Sequence, residues 1–182
     1  MKAPSDPASV SFRLRDGTPA VTRLITPADA PHLARGLARL SPEGHAYRFL
    51  HYRSRFTTAE LDYLTGCDFV DHIALILAIR DAAGRERDHV GVARCIRTRD
   101  DPQLAEVAIV VVDEYQHLGG GLALLRHLAR LAWAAGIRRW QAFSLADNVA
   151  APRLLARVGT EISRRSPGHG TAETTYVLLP PE

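Results

Sequence analysis

Apolar residues alternate at Val10, Phe12 and Leu14, Asp16-Gly17 supplies a turn, and β-branched character resumes from Val21 to Ile25. This pattern predicts a β-hairpin over residues 9–25. At Thr26 the period changes. Thr26-Pro27-Ala28-Asp29 offers a capping residue, a proline at the first helical position and an acidic third residue, and Ala30, Leu33, Leu37 and Leu40 then recur on one helical face. Ser41-Pro42-Glu43 opens a second, shorter helix carrying Tyr47, Phe49 and Leu50, and Thr57-Thr58-Ala59-Glu60 caps a third with Leu61 and Leu64.

From His72 the period returns to that of strands. Ile73–Ile79 is an apolar run, residues 81–87 form a charged turn containing Gly84, and Val90–Ile96 is a second run, which together predict an antiparallel hairpin. Glu106–Val112 reads as the next strand. It is followed by Gln116-His117-Leu118 and three glycines, Gly119 to Gly121, leading into a helix predicted to bury Leu122, Leu125, Ala129 and Ala132 before Gly136 ends it. Arg138–Leu145 is strand-like. Asp147-Asn148 opens a helix with Ala151, Leu154, Leu155 and Val158, predicted to close at Gly159, and Glu161–Arg165 and Thr171–Leu178 complete the chain as two strands. The order predicts an α/β (α+β) fold, a sheet of six to seven strands with helices on both faces. A single domain over residues 1–182 is expected, with 1–8 as a flexible N-terminus.

Charge changes this picture little. Lys2 is the only lysine among 23 Lys and Arg residues, which face 20 acidic ones, so the net charge is +3 and the pI about 9.2. The arginines are dispersed from Arg13 to Arg165 rather than gathered on one helix, which argues against nucleic acid as a partner. No apolar run approaches the roughly 18 residues of a membrane helix, and Met1–Pro7 is short and polar, so no membrane partner and a cytoplasmic location are expected. Cys67 and Cys95 lack metal-ligand spacing and read as free thiols, and the eight histidines show no HExxH pattern, so no metal is expected.

The glycine turn carries the chemistry. A strand, a glycine-rich turn and a helix form a device for anions, because the backbone can approach closely and unpaired amides at the helix start point at the ligand. A Walker loop is excluded, since the only lysine is at position 2, and a dinucleotide fingerprint lacks its third glycine, Leu124 standing there. Gln116-His117-Leu118-Gly119-Gly120-Gly121 instead fits [Q/R]xxGx[G/A] after an apolar strand, with Asn148 at the next strand-to-helix turn. In these features the chain resembles the GNAT superfamily of acyl-CoA-dependent N-acetyltransferases. Asp16-Gly17-Thr18, the stretch from Arg23 to Asp29, Leu40-Ser41-Pro42-Glu43 with Tyr47-Arg48-Phe49, and Ala105-Glu106-Val107-Ala108 look like its protein lysine acetyltransferase (Pat) branch.

The resemblance implies a GNAT-like, mixed and largely antiparallel central sheet, with acetyl-CoA as co-substrate. It places pantetheine along Ile109, Val110 and Val111, the pyrophosphate on Gln116, His117, Leu118, Gly119, Gly120, Gly121 and Leu122, and a further contact at Asn148. The acceptor it implies is a protein lysine, with a small-molecule amine or a catalytically silent acyl-CoA sensor as alternatives; a homodimer is left open. An amine of pKa about 10.4 costs on the order of 4 to 5 kcal/mol to deprotonate at pH 7, so a base is needed. Glu106 is the candidate. It is either a carboxylate buried among apolar neighbours, whose desolvation would suit it to the task, or one at the strand start that faces solvent or pairs with an arginine. The resemblance to the Pat branch implies that it is the base. The family's usual tyrosine acid falls on Leu155 here, which leaves Tyr115 and His127 as conceivable substitutes. Arg126 and Arg153, near the starts of the two cofactor-facing helices, are candidates for the CoA phosphates.

Overall fold

The computed structural model describes residues 9–49, 55–168 and 170–181. The expected flexible N-terminus, residues 1–8, lies outside them. The predicted hairpin forms as β1 (Ser9–Arg13) and β2 (Pro19–Leu24). Thr26 and Asp29 form a reciprocal capping box around a single tight turn, after which α1 (Ala30–Ala38) begins. Two more helices follow, α2 (Pro42–Phe49) and α3 (Thr58–Thr65), the latter capped by Thr57 and Glu60. The remaining elements are β3 (His72–Arg80), β4 (Glu86–Arg97), β5 (Leu104–Val111), α4 (Gly120–Ala134), β6 (Arg139–Leu145), α5 (Ala150–Leu155), β7 (Gly159–Gly168) and β8 (Thr171–Leu178).

All eight strands join one sheet in the order β1-β2-β3-β4-β5-β6-β8-β7. This exceeds the expected six to seven, because β2 continues the sheet onto β3 through Ala20–Leu24 and β7 closes the far edge against β8. Neighbours are antiparallel except β5 and β6. That parallel pair is short: only Leu104–Glu106 register with Arg139–Gln141, and beyond Glu106 the strands diverge. A wedge therefore opens along the β6-facing edge of β5 from Val107 to Val111.

The two faces are covered differently. On one, Leu75, Leu77, Val107, Trp140 and Tyr176 pack with Leu124, Leu125 and Leu128 of α4 in the larger core. On the other, Val21, Ile25, Ala74, Ile76 and Ala78 form a smaller core against Leu33 of α1. Burying such side chains stabilises the fold by about 1.5–3 kcal/mol each. Helix α4 is turned from its predicted aspect: Leu124, Leu125, His127, Leu128 and Ala132 are buried, whereas Leu122 and Ala129 are half-exposed, because strands β2–β5 and α5 widen the covered arc. Helix α5 ends at Leu155, four residues before the predicted stop, and Gly159 begins β7 rather than closing the helix.

Candidate active site

The end of β5 and the start of α4 are joined by a turn under close backbone control. Gln116 donates from Nε2 to the Val111 carbonyl (3.1 Å) and to Asp113 Oδ1 (3.2 Å), which folds the turn back onto the strand. His117 and Gly119 take φ of +61° and +91°. The second value is natural only to glycine, and the first is costly for a side chain. Leu118 is half-buried against the larger core. Gly120 is fully packed: a Cβ there would lie 2.5 Å from Leu77 Cδ2, so the helix can approach β3 this closely only without a side chain.

No side chain caps α4, and its first turn bond runs from the Ala123 amide to the Gly119 carbonyl (3.2 Å). The amides of Gly120, Gly121 and Leu122 thus have no partner within the helix and sit at the positive end of its dipole. Gly121 faces β5 and α5, since a Cβ on it would meet Leu154 Cδ1 at 3.3 Å, Ile109 Cδ1 at 3.7 Å and Val111 Cγ2 at 3.7 Å. Helix start, diverging edge of β5 and α5 therefore converge on one wedge, with Ile109, Val110 and Val111 half-buried along it.

Arg15, which nothing in its local sequence singles out, belongs to the same turn. Its amide donates to the Leu118 carbonyl (3.0 Å) and its Nη1 to the His117 carbonyl (3.1 Å), so the β1–β2 turn is strapped across the glycine loop. The signal is absent from local sequence because the contact spans about a hundred residues. Arg126 and Arg153 are exposed on α4 and α5.

Asn148 is buried, and its Oδ1 accepts from the amides of Ala150 (3.1 Å) and Ala151 (3.2 Å), so it caps α5 at the rim of the wedge. Leu155 is 3% exposed and packs in the core, which removes a tyrosine acid from that position. Of the two substitutes, His127 is buried and shares a 2.8 Å hydrogen bond between its Nδ1 and Thr22 Oγ1, and Tyr115 packs on the larger core. Tyr47 is the tyrosine that the helices bring near. It lies on α2, which packs on both β5 and β6. Its hydroxyl is pushed up to about 12 by a hydrogen bond to Glu43, then by burial and the charge of Asp147, and stays protonated at neutral pH.

Glu106 takes the solvent-facing of its two expected positions. It is exposed, because Ala105 and Val107 take the buried face of β5 and turn Glu106 to the face that carries α1–α3. In register with it are Ile96 on β4 and Gln141 on β6. Gln141 donates from Nε2 to Glu173 Oε1 (2.7 Å), which places a second carboxylate on the same open stretch of sheet. Among the described residues no group of three His, Cys, Asp or Glu side chains could hold a metal ion, and no helix is long and apolar enough to cross a membrane.

An uncapped helix start behind a glycine turn, beside two strands that part, suits a ligand with a phosphate-bearing end and an extended arm. Residues 42–160 match the acetyltransferase (GNAT) family. Acetyltransferase Pat of Mycolicibacterium smegmatis is 30% identical over 172 residues, which cover 94% of this chain and 49% of that protein; the chain thus spans about half the length of this relative. Acetyltransferase PA5475 of Pseudomonas aeruginosa is 28% identical over 158 residues, 87% of this chain and 83% of that protein. The crystal structure of the GNAT domain of S. lividans PAT superposes with a TM-score of 0.80 at 29% identity, covering 97% of this chain and 100% of that one. Wedge, glycine turn and likeness over most of its length agree: the chain belongs to the GNAT acetyltransferase family.

Proposed function

We propose that the chain transfers an acetyl group from acetyl-CoA to a primary amine by direct attack within a ternary complex. The observation that carries this reading is the uncapped start of α4 set against the diverging edge of β5. The residues fit the co-substrate: the amides of Gly120, Gly121 and Leu122 receive the diphosphate, with Gln116, His117, Leu118 and Gly119 shaping the cradle. Ile109 offers its amide and carbonyl, and Val111 its amide, to the pantetheine arm, while Val110 is paired with β4 and supports them, and Asn148 holds the rim. When bound, acetyl-CoA supplies an activated acetyl thioester.

Glu106 is the general base. An ammonium must lose a proton before its nitrogen can attack, and Glu106 faces the side of β5 from which an acceptor can come. Exposure lets the carboxylate pass that proton on to water. The N–C bond forms as the C–S bond breaks; the nitrogen sheds one proton to Glu106 and a second that ends on the CoA sulfur. A thiol-like leaving group with a pKa of about 8.5 makes a dedicated acid at Leu155 dispensable.

Two acceptor classes divide the support. A protein lysine follows from the likeness to Pat proteins. A small amine is favoured by a cavity under α1–α3 that reaches Val110. Replacing Glu106→Gln tests the base: turnover is expected to fall by about 10²–10⁴-fold, with acetyl-CoA affinity changed by less than about threefold. Small and equal effects on both would remove Glu106 from the mechanism.

A further inference from the structure

The sheet face beneath α1, α2 and α3 is incompletely filled. A cavity of about 260 Å³ lies there, walled by aliphatic groups that include Leu33, Leu37, Ile76, Val92 and Val110. It falls below the roughly 300–1,000 Å³ of sites for drug-sized ligands, so its occupant is small. One residue is at odds with these walls. Arg94 of β4 lines the cavity at 5% exposure. Its Nη1 donates to the Leu64 carbonyl (3.1 Å) and approaches His72 Nε2 (3.0 Å), both neutral groups, and its Nε is buried with no hydrogen-bond partner. Among the described residues no carboxylate lies within 4 Å of it.

An arginine stays cationic, and a buried cation without a counter-ion is costly. Arg48 and Glu60 also line the cavity, and Glu60 Oε2 accepts from the Thr57 amide (2.8 Å) and hydroxyl (2.9 Å) in the α3 capping box. The apolar chamber is also next to the chemistry. Arg94 is in register with Ala108, two residues along β5 from Glu106, and Val110 belongs to both the cavity wall and the wedge.

We propose that this cavity is the acceptor pocket for a small amine bearing a carboxylate at its far end, with an apolar spacer between the two groups. The carboxylate pairs with Arg94, the methylenes lie on the aliphatic wall, and the amine points along β5 toward Ala108 and Glu106. The assignment rests on the small-amine reading of the acetyl transfer. It gives the buried guanidinium the counter-ion that the described residues do not provide.

Two homologous series test it, n-alkylamines and ω-amino carboxylates from 4-aminobutanoate to 8-aminooctanoate, with kcat/KM followed by CoA release from acetyl-CoA. The best amino carboxylate is expected to exceed the alkylamine of equal length by about 10- to 100-fold, the range of a hydrogen-bonded charge pair. Arg94→Gln should bring that ratio near one, and Arg94→Lys should keep part of it. Melting and acetyl-CoA titration of each variant report whether fold and cofactor site survive, and the wild-type ratio stands alone if they do not. Equal rates for the two series in the wild type, or lysine peptides outrunning every small amine, overturn the pocket assignment alone. Failure to acetylate any amine overturns the transferase reading and the assignment with it.

Discussion

At the scale of single residues, the acyl-CoA site depends on groups whose value comes from where the fold brings them. Arg15 is the clearest case. Its guanidinium is tethered by one bond to the His117 carbonyl and leaves donors beside the unpaired amides of α4. A charge-assisted contact at an exposed position is worth on the order of 1 kcal/mol, which is about a fivefold change in affinity. Replacing Arg15→Gln is therefore expected to raise the Kd for acetyl-CoA by about three- to tenfold, measured by calorimetric titration. The loss should shrink as salt is added, because screening weakens what remains of the charge effect. An unchanged Kd would limit Arg15 to bracing the loop. Arg15 and Arg94 were both illegible in sequence for one reason: an arginine among many acquires a role only from a partner brought in by strand register or a distant loop. The glycine turn was legible because its conformational demands are local, and Leu155 because its position is set by the short spacing from Asn148. Glu106 was half legible. Its strand was right, and the alternation of Ala105 and Val107 on the core side settles as exposure what the local composition left open.

At the scale of elements, the entry into α1 is tied to the sheet by an ionic cluster. Asp29 accepts from Arg23 Nη1 (2.8 Å) and Nη2 (2.7 Å) and from the Thr26 amide (2.8 Å), while Arg23 also meets Glu86 (2.9 Å). Burial acts to raise the Asp29 carboxyl, but Arg23 and the Thr26 amide outweigh it and hold it at about 2. A depressed carboxyl contributes stability that is complete above its unfolded value near 3.8 and is lost as pH falls toward 2. The loss amounts to about 2 kcal/mol. Denaturant unfolding between pH 5 and pH 2 should show a fall of this size attributable to Asp29, and Asp29→Asn should start lower at pH 7 and fall less steeply. Parallel acid limbs for the two proteins would contradict the assignment. The capping box itself was visible in Thr26-Pro27-Ala28-Asp29, since caps are read over four residues. The ends of α5 and the buried arc of α4 were not, because they depend on what lies across from each helix.

At the scale of the whole molecule, the sheet is two parts with a narrow join. Strands β1–β5 pair over five to nine residues at each step, and β6, β8 and β7 likewise among themselves, but β5 and β6 register over only three. Helices α4 and α5 supply the rest of the connection through the larger core. This divergence is what admits a pantetheine arm, and it also means that a ligand in the wedge bridges the parts of the sheet at their weakest contact. Binding to the native state alone adds RT ln(1 + [L]/Kd), about 2.7 kcal/mol at 100 times Kd. For a domain of this size each kcal/mol is worth roughly 2–4 °C, so saturating acetyl-CoA is expected to raise Tm by about 5–10 °C. Hydrogen exchange should place the largest gain in protection on the amides of Ile109 and Val111, which point away from β4, and on the first turn of α4. A Tm that stays fixed at millimolar acetyl-CoA, or protection gained only far from the wedge, would contradict the assignment of this join as the co-substrate site.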